Sequence, residues 1–189
     1  APPPGKGKEH GDSPAPPPGG TEGGSEGVPQ YEVSHALLHT YARKRLPPEP
    51  ETLARLAGYY TTLAERESAQ GLTGYRRLAP ARGHLLRVLE TCAAQEQWEA
   101  VRSLVWAVDG YLSIQGYWTE RVQVLETGVQ AAQMLEHRRD EGAFLGNLGL
   151  AYAALGQVEE AIAYYEQALA LAREIGDRRG EGNRLGNLG

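Results

Sequence analysis

Two asparagines, Asn147 and Asn187, stand forty residues apart, each inside the string LGNLG and each beside a glycine, Gly146 or Gly186. A side-chain amide offers both a donor and an acceptor, which is what pairing with the backbone of an extended peptide requires. The same amide could instead tie two neighbouring segments of one chain together. Two arginine pairs, Arg138-Arg139 and Arg178-Arg179, share the spacing and lie beside Asp140, Glu141, Asp177 and Glu181. They could hold an anion, or pair with those acids as solvated charges worth little each. Other chemistry is poorly supported. His35 and His39 share a helical face but lack an acidic or cysteine partner for a metal. Cys92, in LETCAAQ, has no nearby histidine or basic pair to lower its pKa and reads as a small buried residue. GKGK at 5–8 lacks the lead residues, the preceding strand and the following helix of a phosphate loop. Neither a nucleophile with its base nor a pair of catalytic acids is found, so the chain does not read as an enzyme.

The elements that position these residues follow from the repeat. Leu135, Arg138, Arg139, Glu141 and Gly142 recur as Ile175, Arg178, Arg179, Glu181 and Gly182, and Gly116 recurs as Gly156. A fixed period in the range of about 20 to 50 residues marks a solenoid whose units pack on their neighbours. Leu145, Leu148, Tyr152 and Leu155 step along one helical face, and Ala161, Tyr165, Ala168 and Ala172 along another. Gly156 is placed to end the first helix in a left-handed conformation, while Glu159 and Glu160 suit the positive start of the second. Small residues at Gly149, Ala161 and Ala168 allow close approach of the two helices. Tyr152 and Tyr165 fill the space between layers, and Tyr164, one step off the face, is expected nearer solvent. Each unit is therefore an antiparallel helix pair.

Composition bounds the rest. In a chain of 189 residues, 8 prolines and 8 glycines crowd into residues 1–30, a stretch with too few apolar side chains to offset its ordering entropy. Residues 1–30 are expected to be a disordered linker or a loop insertion. No apolar run approaches the roughly 18 residues that span a bilayer, and the first thirty residues lack a signal-peptide hydrophobic region. A single cysteine permits no internal disulfide, which fits a reducing cytoplasm. The net charge of -5 argues against a nucleic-acid surface. The chain lacks an initial methionine and stops early in a repeat, as a piece of a longer protein would.

Leu148, Gly149, Tyr152, Ala161, Tyr165 and Ala168 match, in order and spacing, the small and large positions of the tetratricopeptide repeat, which the unit resembles. REIGDRRGE replaces the proline expected near the end and lengthens the unit to forty residues, similar to the long repeats of kinesin light chains and bacterial signalling ATPases. The resemblance implies an all-α, right-handed solenoid of antiparallel helix pairs at 102–189, degenerate at 102–141 with Arg121 and Gly128 at the two alanine positions, complete at 142–181 and truncated at 182–189. It also implies that Asn147, Asn187 and Leu150 line a concave groove holding a protein or peptide. No lysine lies on these helices, which sets the groove apart from those that clamp chaperone tails. Further upstream, YEVSHALLHTYARKRL at 31–46 resembles the last helix of the winged-helix module in NB-ARC-type ATPases of the STAND class, and 47–101 resembles the helical connector that follows it. The match implies that His35, between Ser34 and Ala36, touches an ADP phosphate in a parent protein that binds ADP or ATP, with no cofactor held by this segment itself. It implies a sensor arm whose ligand releases a closed ADP state, with oligomerisation of the parent on activation. The alternative is a constitutive scaffold without a nucleotide switch.

Overall fold

The computed structural model describes residues 48–188, so the expectations placed on residues 1–30, on 31–46 and on His35 lie outside the described residues. Among the described residues eight α-helices follow one another: α1 (Pro50–Ser68), α2 (Gly71–Leu78), α3 (Arg82–Ala94), α4 (Trp98–Gln115), α5 (Trp118–Met134), α6 (Arg138–Ala154), α7 (Val158–Glu174) and α8 (Arg178–Leu188). A single 3-10 turn, Ala79–Ala81, joins α2 to α3 where Pro80 removes a backbone donor. No strand occurs among the described residues, and consecutive helices pack as a tetratricopeptide-like helical solenoid.

One turn geometry sets the period. Glu96, Gly116, Glu136, Gly156 and Gly176 have φ of 56°, 73°, 57°, 76° and 71°, so a left-handed residue recurs every twenty positions. After each, the next amide reaches back to close the helix: Gln97 N–H to Cys92 O at 2.9 Å, Tyr117 to Leu112 at 3.0 Å, His137 to Ala132 at 2.8 Å, Gln157 to Tyr152 at 2.9 Å and Asp177 to Ala172 at 2.8 Å. That is the Schellman closure, which satisfies carbonyls a helix end would otherwise leave bare. The carbonyl of the same residue then opens the next helix, as Tyr117 O accepts from Arg121 N–H at 2.9 Å and Gln157 O from Ala161 N–H at 3.1 Å. Two or three residues thus suffice to reverse the chain. The forty-residue period is two equal half-periods of twenty. Units counted from Arg102 and Gly142 begin one turn inside α4 and α6, and the arginine pairs occupy the first turns of α6 and α8.

Packing follows from the small residues. A Cβ on Gly149 would collide with the ring of Tyr165, which is buried, so α6 and α7 meet at that contact. At Gly128 a Cβ would stand 2.8 Å from Val105 and 3.2 Å from Phe144, so this glycine seats α5 against both α4 and α6. Tyr152 is half-buried and stacks on half-buried Tyr164 at 5.2 Å, with the planes 10° apart. Upstream, α1 lies along α4 with both helices starting at the same end: Gln97 Nε2 donates to Pro50 O at 2.9 Å and Gln95 Nε2 to Pro48 O at 3.0 Å. One apolar core runs without a break from Leu53 through Leu85 and Leu104 to Leu148. Each such leucine contributes about 1.5 to 3 kcal/mol on leaving water. The helices before Trp98 therefore share the core of the repeats.

Glu136 carries a side chain where the fold needs a left-handed residue, at a cost of about 1 kcal/mol relative to glycine. Glu136→Gly should raise stability by about 0.5 to 1 kcal/mol, and Gly156→Ala should lower it by a similar amount. Urea titrations of both variants read this directly, and a fall in stability for Glu136→Gly would show that its side chain, not the backbone angle, sets the balance.

Candidate protein-binding face and its buried anchor

The first helix of each pair leaves one stripe uncovered. On α4 the stripe runs through Glu99, Ser103, Trp106, Gly110 and Ile114, and on α6 through Arg139, Ala143, Asn147, Leu150 and Ala154, at steps of three and four that keep one helical face. Trp106 is 43% exposed and Leu150 41%. The Trp106 ring rests on buried Phe144 of α6, centroids 4.8 Å apart, so its orientation is held by packing while part of it stays accessible. This is the face that the repeat resemblance assigns to the groove.

Beneath it lies a buried polar cluster. Asp109 of α4 accepts two hydrogen bonds from Arg121 of α5, at 2.6 Å from Nε and 3.2 Å from Nη2, and one from Asn147 Nδ2 of α6 at 2.9 Å. Asp109 is 9% exposed and Arg121 4%. Three helices from two adjacent pairs meet at one carboxylate. The equivalent positions one repeat later are Gly149 and Ala161, so a small-small contact in α6–α7 stands where α4–α5 has an acid and a base. Bidentate, charge-assisted bonding offsets the desolvation of both ions.

The three ligand-contacting candidates sit differently. Asn147 is half-buried and gives one amide hydrogen to Asp109, which leaves its second hydrogen and its carbonyl oxygen for other partners. Asn187 is exposed on α8, and because Gly149 replaces Asp109 it has no equivalent carboxylate to bind. Leu150 presents apolar surface one turn beyond Asn147. Asp109, the half-buried Arg184 and Trp106 were not singled out from sequence. Asp109 was detectable, since Arg121 at an alanine position calls for an acid at the facing glycine position. Trp106 had no such signal, because its equivalents are Gly146 and Gly186.

The remaining titratable groups are structural. Burial pushes the Cys92 thiol up to about 11, which keeps it protonated and unreactive near neutral pH. The Arg77 and Arg66 guanidiniums on Glu67 hold its carboxyl below the usual range. Arg138, at the start of α6, bonds Glu141 at 2.7 Å and Glu174 at 2.9 Å, which joins α6 to α7. Among the described residues no group of three or more acidic, histidine or cysteine side chains is placed to hold a metal ion. No helix among them is long and apolar enough to cross a membrane.

Asp109→Ala would leave Arg121 buried and unpaired, a loss of about 3 kcal/mol or more. Asn147→Ala removes one hydrogen bond and should cost about 1 kcal/mol. Chemical denaturation of the two variants side by side should show that ranking. Equal losses would mean that the amide and the arginine contribute alike and that the ion pair is not the anchor.

Residues 140–189 match the family model of the tetratricopeptide repeat, a span that takes in nearly all of α6, then α7 and α8. No curated protein matches the chain. Tetratricopeptide repeats generally mediate protein–protein interaction, and the segment from Asp140 onward is similar to such a repeat.

Proposed function

We propose that α4, α6 and α8 form a protein-binding arm whose ligand is an extended peptide segment lying across their uncovered faces. The observation that supports this most strongly is the stripe itself. It combines a part-exposed tryptophan and leucine with glycine, alanine and asparagine, and Phe144 beneath Trp106 and Asp109 beneath Asn147 hold it rigid. Preorganised aromatic and aliphatic anchors supply most of the affinity at such surfaces, because little conformational entropy is lost on binding.

At a finer level, the arm serves as the sensor of a nucleotide-switched signalling ATPase, and its ligand shifts a closed ADP state toward an open, oligomeric one. The resemblance of residues 31–46 to the end of a winged-helix module, with His35 as the phosphate contact, supports that assignment. A constitutive scaffold built on the same repeats differs in one feature: its parent has no phosphate-loop domain ahead of Ala1. The parent sequence decides between them.

The binding face is tested by selecting twelve-residue peptides from a random displayed library against the full chain. Leu150→Glu should weaken a selected peptide about tenfold or more while the thermal midpoint moves by only a few degrees, since Leu150 is already part-exposed. Peptides that bind Leu150→Glu and Asn187→Ala as tightly as the unaltered chain would place recognition on another surface.

A further inference from the structure

We draw no further inference here: the strongest candidate, the exposed apolar face of α1 at Leu56 and Tyr59, carries nothing because nothing in the structure shows what covers it.

Discussion

A residue in the left-handed conformation every twenty positions is the constraint on which the architecture depends. It ends one helix and starts the next within two or three residues, so α4, α5, α6 and α7 have nearly equal length and begin at 98, 118, 138 and 158. Equal helices with equal turns bring corresponding residues of α4, α6 and α8 into rows. A single extra residue in any turn would rotate the following helix by about 100° and turn its stripe away from its neighbours. The alignment of the proposed binding surface is thus set by backbone hydrogen bonding at the turns before any side chain on it is considered.

Within that frame the two helix pairs solve the same packing problem with different chemistry. In α6–α7, Gly149 and Ala161 leave room for Tyr165, and the contact is apolar. In α4–α5 the corresponding residues are Asp109 and Arg121, and the space is filled by a buried ion pair that also captures Asn147 of the next pair. An apolar contact tolerates small shifts, whereas three directed hydrogen bonds to one carboxylate fix the stacking of α4, α5 and α6 more narrowly. The rigid part of the arm lies at α4–α6. The joint between α6 and α8 has glycines, Gly142 and Gly180, where the joint before it has the ion pair of Arg102 and Asp140.

Much of this was legible in the residues, for identifiable reasons. Gly116 and Gly156 announced the turns because glycine is the usual occupant of a left-handed position, and the 3.6-residue apolar period placed the two helices on either side of Gly156. Glu96 and Glu136 hid the twenty-residue half-period, since tertiary packing forces them into a backbone angle their side chains do not advertise. Arg121 was visible as a departure from the repeat, and its partner twelve residues earlier, at the facing glycine position, could be found only by reading across from one helix to another. Of the candidate ligand-contacting set, Leu150 is exposed, Asn187 is exposed and unsupported, and Asn147 is committed in part to Asp109. That asymmetry arises from the residue facing each amide in the preceding repeat, which the shared string LGNLG conceals.

Amide hydrogen exchange on the full chain, with and without a saturating selected peptide, tests the central claim most directly, because it locates the bound surface helix by helix. The account requires slowed exchange in α4, α6 and α8, greatest around Ala143 to Leu150, with the outward residues of α5 and α7 unchanged. Slowing confined to α5 and α7, or to α1 through α3, would contradict it.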